Sequence, residues 1–306
     1  MLRQAILAAS RSARLRDVIE RAPLSRSVVH RFVSGAGIED AVRATTDLIA
    51  SGRTVTLDHL GEDTLNAGQA EVTVKAYLAL LVRLVDAGLT QNARAEVSVK
   101  LSAVGQSVDQ DLALANATLI CEAARSAGTT VTLDMEDHTT TDSTLEILRL
   151  LRADFPSTGA VVQAYLHRTE ADCRDLATVG SRVRLCKGAY KEPGSVAFQS
   201  RAEVDASYRR CLTVLMAGAG YPMVATHDPA LIALATDLAV DRLKGTYEFQ
   251  MLYGIRPQEQ ERLAARGETM RVYVPYGDEW YGYFMRRLAE RPANVAFFLR
   301  ALASRS

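Results

Sequence analysis

The chain has 306 residues, which is enough for two ordinary domains or for one large barrel. Its 36 basic and 36 acidic residues cancel and no long basic cluster occurs, so charge gives no reason to expect nucleic acid as a partner. The four cysteines and five histidines are widely spaced, which fits reduced thiols and disfavours a metal site. No apolar run approaches the ~20 residues of a membrane-spanning helix, and we expect a cytoplasmic protein without a targeting segment.

Residues 1–50 show helical patterns only, and we expect an N-terminal helical arm there. Beyond this arm, short apolar or alternating segments predict eight strands, at 53–58, 95–100, 130–134, 161–164, 183–186, 223–226, 247–250 and 271–274. Segments with helical periodicity lie between them, as at 68–88, 112–128, 143–154 and 202–218. The alternation predicts one (βα)8 barrel domain over residues 51–306. A doubly wound sheet is the alternative, but no Gly-x-Gly-x-x-Gly motif follows an early strand.

Polar residues stand at the ends of the predicted strands, where a barrel of this kind carries its catalytic groups. They are Asp58, Lys100, Asp134, Glu136, Gln163, Tyr165, Arg184, Lys187, Thr226, His227, Glu248, Gln250 and Tyr273. One polar terminus is simply a strand reaching water, but charges inside several apolar runs need partners. We expect Lys100 and Asp134 to face each other over the barrel mouth, with Asp134 orienting an arginine. An ordinary ion pair of the barrel core and a Schiff-base lysine are the alternatives.

The segment 184–190 (RLCKGAY) places small residues directly after a predicted strand. Gly188 and Ala189 leave backbone N–H groups uncovered, which suits a phosphate or a flat ring. A tight turn that needs glycine is the alternative interpretation.

A second chemical signal lies near the chain end, in the segment 283–290 (YFMRRLAE). On an α-helix, Tyr283, Arg286, Arg287 and Glu290 share one face. Two adjacent guanidiniums suit one planar carboxylate, so the pattern predicts a clamp for a small acidic substrate. The alternative is a solvated face with an Arg286–Glu290 pair worth only ~0.3 kcal/mol.

Eight segments, in the same order along the chain, resemble the proline dehydrogenase family, including the catalytic domain of bifunctional proline utilisation proteins. They are 97–102 (VSVKLS), 133–136 (LDME), 162–165 (VQAY), 184–190 (RLCKGAY), 225–228 (ATHD), 247–254 (YEFQMLYG), 271–277 (RVYVPYG) and 283–287 (YFMRR). The resemblance implies a distorted (βα)8 barrel whose final helix caps the mouth. It further implies non-covalently bound FAD and oxidation of L-proline to Δ1-pyrroline-5-carboxylate, with electrons passed to a quinone.

The resemblance also implies roles for individual residues. Lys100, Arg286 and Arg287 would bind the proline carboxylate, and Asp134 would pair with Arg286. The implied walls of the substrate site are Tyr190, Leu252, Tyr273 and Tyr283, and Glu290 completes the polar network of the lid. The implied FAD-binding residues are Gln163, Arg184, Lys187, Gly188, Ala189, Thr226 and His227, with Glu248 nearby. The chain departs from the family pattern after Tyr190 and at 199–201, so contacts to adenine and pyrophosphate are not carried over there.

Three hypotheses follow for function. The first is an FAD-dependent proline dehydrogenase. The second is a flavin barrel acting on hydroxyproline or a folate derivative, although the Tyr273 phenol should exclude a 4-hydroxyl group. The third is a catalytically silent barrel that binds a small acid or a partner protein, against which the full set of clamp charges argues. For the amphipathic segment 295–302 we expect packing on the barrel, with a peripheral contact to the inner face of the membrane as the alternative.

Overall fold

The computed structural model describes residues 29–61 and 64–290, with side chains described as far as Met285. Eight strands alternate with helices along this part of the chain. The strands are β1 (Thr54–His59), β2 (Ala95–Val99), β3 (Val131–Leu133), β4 (Ala160–Gln163), β5 (Arg182–Cys186), β6 (Tyr221–Ala225), β7 (Glu248–Leu252) and β8 (Met270–Tyr276). The α-helices are α1 (Ile38–Ala50), α2 (Ala67–Asp86), α3 (Gln110–Ser126), α4 (Thr141–Asp154), α5 (Thr169–Leu176), α6 (Arg201–Ala217), α7 (Pro229–Leu238), α8 (Pro257–Ala265) and α9 (Trp280–Glu290).

The strands form one parallel sheet in the order β3-β2-β1-β8-β7-β6-β5-β4. The two ends of this order meet at Gly159, whose N–H donates to Val131 O at 2.8 Å and whose carbonyl accepts from Leu133 N at 2.9 Å. The sheet therefore closes into a nearly complete barrel with the helices outside. The predicted (βα)8 fold is confirmed, and a doubly wound sheet is excluded.

Several helices begin where a side chain caps free backbone N–H groups. Asn66 accepts from the backbone of α2 at 3.0 Å, Asp109 from that of α3 at 2.8 Å, and Asp228 from that of α7 at 3.0 Å. Each helix then buries an apolar face on the sheet; Tyr77, Leu80 and Leu84 of α2 are fully buried. Because strands and helices both turn apolar side chains into this layer, the main core lies between barrel and helices.

A smaller apolar cluster joins the last described helix to the barrel mouth. Phe284 of α9 is fully buried and packs with Phe32, Val33 and Leu60, its ring centroid lying 6.3 Å from that of Phe32. Leu60 directly follows β1, and its N–H donates to Tyr276 O at the end of β8 at 2.8 Å. The cluster thus holds α9 beside the C-terminal ends of β1 and β8.

The predicted helical arm is described only in part. Residues 1–28 lie outside the described part of the chain, while α1 packs on β1 and β8 and contributes Ala41 and Leu48 to the main core. The segment 295–302 also lies outside the described residues. None of the described helices has both the length and the apolar character needed to cross a membrane.

Candidate active site

A buried lysine lies at the C-terminal end of β2, between carboxylates from the strands on either side. Lys100 Nζ donates to Asp58 Oδ2 at 2.6 Å and lies 3.7 Å from Asp134 Oδ2. All three side chains are about nine-tenths buried or more. The structure thus brings Lys100 and Asp134 together as expected, and it adds Asp58 as the closer partner.

Asp134 is the hub of the polar network at the barrel mouth. Its Oδ1 accepts from Ser98 Oγ at 2.7 Å and from Arg184 Nη1 at 2.6 Å, and its Oδ2 accepts from Tyr273 OH at 2.7 Å. Burial, and then the Asp134 charge, raise the pKa of the Tyr273 phenol well above its ordinary value, so Tyr273 stays a donor. These bonds fix the carboxylate, which therefore orients its neighbours.

Arg184 crosses the barrel interior from β5 and is almost fully buried. Its Nε donates to Gln250 Oε1 at 2.6 Å, and its guanidinium carbon lies 5.4 Å from the centroid of the Tyr273 ring. Burial alone would lower the pKa of Arg184, but the adjacent Asp134 carboxylate outweighs it and raises the pKa, so the cation is retained. The remaining Nη2 group has no hydrogen-bond partner among the described residues, and a bound anion or cofactor would satisfy it.

Asp58 is the most perturbed carboxyl group at the mouth. Burial raises its pKa to about 6, against the opposing charge of Lys100. Its Oδ1 is buried without a hydrogen-bond partner in the described part of the chain. The Asp58 charge therefore depends on the ammonium beside it.

A second charged layer lies deeper in the barrel and includes Glu248. Arg271 Nε donates to Glu248 Oε1 at 2.9 Å and lies 3.7 Å from Glu96 Oε1, while Arg182 donates to Glu96 Oε2 at 2.6 Å. Burial alone would raise the pKa of Glu248, but the Arg271 charge outweighs it and lowers the pKa. Glu248 reaches the mouth only through Gln250, whose Nε2 donates to it at 2.5 Å.

Other residues predicted to hold FAD lie on the β4 and β6 side of the mouth, and several are engaged within the protein. Gln163 Nε2 donates to Glu136 O at 2.7 Å. Thr226 Oγ1 accepts from Asp228 N at 3.1 Å. His227 Nε2 accepts from Leu252 N at 2.9 Å, which leaves its ring proton on Nδ1. His227 and Leu252, predicted for different sites, are thus direct neighbours.

The turn after β5 combines a paired lysine with a glycine that its surroundings require. Lys187 Nζ donates to Asp205 Oδ1 at 2.5 Å and to Asp228 Oδ2 at 3.1 Å, which ties the turn to α6 and α7. Gly188 has φ +110°, and a Cβ there would overlap the Tyr165 ring. The tight-turn interpretation is therefore sufficient for Gly188, and Ala189 next to it is exposed.

The segment after Tyr190, which departs from the family pattern, contains a buried carboxylate that joins neighbouring loops. Glu192 is buried; it accepts from His138 N at 2.9 Å and from Tyr165 OH at 3.1 Å, and it also contacts the His138 ring. This carboxylate therefore ties together the loops that follow β3, β4 and β5. Tyr190, two residues earlier, is half-buried at the same rim.

Part of the predicted clamp lies beyond the described side chains. Arg286, Arg287 and Glu290 belong to α9, but their side chains are outside the described part of the structure, so the clamp stays a prediction. Tyr283 on the same helix is buried in the cluster with Leu60.

Sequence reasoning assigned no role to three polar residues of the site. Ser98 and Gln250 both bond within the Asp134–Arg184 network, and Asp58 is the nearest partner of Lys100. For Asp58 and Ser98 the available signal was position, since each lies one residue before the end of its strand, whereas Gln250 lies in the middle of β7.

Comparison with known proteins identifies the family. The sequence model of the family described as "Proline dehydrogenase" matches residues 41–300. The chain belongs to the proline dehydrogenase family. It is 38% identical over 280 residues to proline dehydrogenase 1 of Bacillus subtilis (strain 168), covering 91% of both chains. It is 41% identical over 283 residues to proline dehydrogenase of Deinococcus radiodurans, covering 90% of both. The family and the oxidoreductase class predicted from the sequence are thus confirmed.

Larger bifunctional proteins share the same domain. The chain is 28% identical over 323 residues to the bifunctional protein PutA of Escherichia coli (strain K12), covering 90% of this chain and 24% of PutA. Its fold superposes with a TM-score of 0.78, at 25% identity, on proline utilization A from Bdellovibrio bacteriovorus inactivated by N-propargylglycine. That superposition covers 86% of this chain and 32% of the other, so the chain spans about a quarter to a third of these longer proteins.

Proposed function

We propose that this protein oxidises L-proline to Δ1-pyrroline-5-carboxylate with non-covalently bound FAD and passes the electrons to a quinone. The observation that carries the proposal is the network at the barrel mouth, in which Lys100, Asp134 and Tyr273 are held by bonds of 2.6–2.7 Å to their partners. Relatives at 38% and 41% identity, named proline dehydrogenases, support the choice of substrate.

The ammonium of Lys100 is the described cation best placed to receive the substrate carboxylate, because it lies at the open end of β2. Arg286 and Arg287 would add a bidentate clamp from the final helix. The Tyr273 phenol, locked onto Asp134, would form one wall against the substrate ring. A substrate held by its carboxylate presents one ring carbon in a fixed direction, so the binding energy offsets the entropic cost of orienting the substrate for reaction.

The cofactor side would be formed by Arg184 with Gln163, Thr226 and His227, and by the turn at Gly188. The free Nη2 of Arg184 and its buried positive charge fit a flat, electron-accepting ring. When bound, FAD supplies the acceptor for the hydride removed from the substrate. The protein's own contribution is to hold a cation in place beside that ring and to exclude water from it.

The protonation state of the substrate sets the expected pH dependence. A carbon atom next to a protonated amine does not give up a hydride, because the nitrogen then has no lone pair to donate. The amine must therefore be neutral in the reacting complex. We therefore expect kcat/KM for proline to rise with pH.

Purification provides the first test. The proposal expects a yellow protein whose flavin absorbance bleaches on anaerobic addition of L-proline. A colourless protein that cannot be reconstituted with FAD would refute the flavin assignment. If hydroxyproline or a folate derivative bleaches the flavin and proline does not, the substrate assignment changes to that compound.

Two further measurements address the clamp and the acceptor. Arg286→Met or Arg287→Met should raise KM for proline steeply and leave flavin content nearly unchanged, by analogy with a cost of ~2–5 kcal/mol for removing one partner of a buried charge pair. Loss of flavin instead would mean that the clamp is misassigned. Turnover with a soluble quinone, with and without lipid vesicles, tests the acceptor and a peripheral membrane contact.

A further inference from the structure

Asp58 has the features of a group that acts on substrate binding through another residue. It ends β1 on the inner face of the barrel, it is almost completely buried, and its Oδ2 accepts from Lys100 Nζ at 2.6 Å. That contact is shorter by more than 1 Å than the 3.7 Å between Lys100 and Asp134. Asp58 is therefore the carboxylate closest to Lys100, the residue expected to bind the substrate carboxylate.

We propose that Asp58 is a positioning residue that keeps Lys100 charged, and so able to bind the substrate carboxylate, up to alkaline pH. The proposal rests on the proposed function, since it assumes a carboxylate substrate at Lys100. A buried ammonium without an adjacent counter-charge gives up its proton readily, because burial disfavours the charged form. Asp134 is the more distant carboxylate, at 3.7 Å from Lys100, and its charge is shared with Arg184, whose Nη1 donates to its Oδ1 at 2.6 Å.

Two carboxylates lie close to Lys100, one from the strand on each side. The described groups around Lys100 include Asp58, Asp134, the Tyr273 phenol at 3.5 Å and, at longer range, His59. Asp58 is faced in addition by the phenols of Tyr77 and Tyr276, whose pKa values are raised by burial and which stay neutral. Arg184 is another cation, and it is held by Asp134. Of the two carboxylates near Lys100, Asp58 is therefore the closer one, and Asp134 is the one that Lys100 shares with Arg184.

The test needs a ligand whose own charge does not change with pH. Cyclopentanecarboxylate has the ring and carboxylate of proline without its amine, so above pH 6 its competitive inhibition constant reports on the protein alone. Asp58→Asn keeps an oxygen that accepts from Lys100 and removes only the charge. Thr56→Val is the matched control, since Thr56 is fully buried two residues earlier on the same face and its hydroxyl has no partner among the described residues.

The expected result is a pH-dependent difference. At pH 6.5 Asp58→Asn should bind the inhibitor at least as tightly as wild type, because the removed carboxylate also repels the ligand. The ratio of its inhibition constant to that of wild type should then grow by ~5-fold to ~40-fold between pH 6.5 and pH 9, as expected when a lysine loses about two to three pKa units with its opposite charge. Wild type and Thr56→Val should change less than twofold over the same range. A ratio between Asp58→Asn and wild type that is the same at both pH values would overturn the proposal, as would an equal effect of Thr56→Val.

A second variant keeps the test decisive if Asp58→Asn does not fold. Asp58→Glu retains the charge, so its inhibition constant may differ from wild type by a constant factor but must keep the flat pH profile; a loss of affinity that grows with pH would refute the role of the charge. Failure of the proposed function is recognised separately. Wild-type protein that neither oxidises proline nor binds cyclopentanecarboxylate removes the substrate assignment, whereas an active wild type with a pH-independent Asp58→Asn removes only the role of Asp58.

Discussion

The hydrogen bond from Tyr273 to Asp134 predicts a measurable cost for removing one phenolic oxygen. In Tyr273→Phe, Asp134 Oδ2 loses its 2.7 Å donor, and Lys100 Nζ lies 3.7 Å from that oxygen. A hydrogen bond to a charged group contributes ~1.5–3 kcal/mol, and we expect the free energy of unfolding to fall by that amount. If the misplaced carboxylate also disturbs substrate binding, the same energy corresponds to a loss in kcat/KM of ~10-fold to ~100-fold.

Tyr276→Phe provides the control, because both tyrosines lie on β8, Tyr276 buried and Tyr273 partly buried, and only the Tyr273 hydroxyl is bonded to Asp134. Tyr276 OH has no hydrogen-bond partner in the described structure, so its removal should change stability by less than ~0.5 kcal/mol and leave kcat/KM unchanged. Urea unfolding and steady-state oxidation of proline measure the two quantities. Equal losses of stability in both variants would refute the reasoning, since the cost would then arise from the ring environment and not from the bond to Asp134.

Three other changes have expected outcomes. Gly188→Ala should lower thermal stability and flavin content together, because the added Cβ overlaps the Tyr165 ring. Gly245→Ala is the control, since Gly245 also has a positive φ but nothing lies within 4 Å of an added Cβ. It should cost only ~1–2 kcal/mol of stability and keep its flavin. The folded-state pKa of Asp58 is raised from 3.8 to about 6, so the folded protein binds more protons in this window than the unfolded chain. The free energy of unfolding should therefore fall by up to ~3 kcal/mol as pH rises from 4 to 6. Urea unfolding at several pH values measures this slope, which should be absent in Asp58→Asn. Arg271→Met removes the cation that pairs with buried Glu248, whereas Glu96 keeps its pair with Arg182. The change should cost ~3–5 kcal/mol in urea unfolding, with activity per folded molecule unchanged.

The strands were predictable because parallel strands buried on both faces appear in the sequence as nearly continuous apolar runs. All eight predicted segments overlap observed strands, with ends that differ by two residues or fewer. The differences have local causes. β8 runs on to Tyr276 because β1 continues to pair with it as far as His59, although Pro275 interrupts the apolar pattern.

The pairing of Lys100 could not be settled from sequence alone. β2 lies between β1 and β3 in the sheet, so a lysine at its end has one acidic neighbour on each side, Asp58 and Asp134. Charge complementarity permits either pair, and the sequence analysis considered only Asp134. The structure separates them by distance, 2.6 Å against 3.7 Å, because Asp134 is drawn towards Arg184 and Tyr273.

The contact between Asp134 and Arg184 arises from the layered interior of the barrel. Asp58 and Asp134 stand at the C-terminal ends of β1 and β3, while Arg184 and Gln250 stand in the middle of β5 and β7. Alternate strands of a barrel contribute to a common layer. Arg184 can therefore reach Asp134 at 2.6 Å and Gln250 at 2.6 Å across the interior, although 50 and 66 residues separate them in the chain. Sequence spacing contains no trace of such contacts; only the register of the closed sheet creates them.

Charge balance at the mouth explains why the final helix matters to an anionic substrate. Among the described side chains, the two carboxylates of Asp58 and Asp134 balance the two cations of Lys100 and Arg184. A substrate carboxylate entering this neutral set would carry an uncompensated negative charge into a buried site, which is costly. The proposed clamp of Arg286 and Arg287 would supply further cations from α9, the helix that the Phe284 cluster holds beside β1 and β8. Anchoring of α9 and affinity for the carboxylate should therefore weaken together when that apolar cluster is truncated.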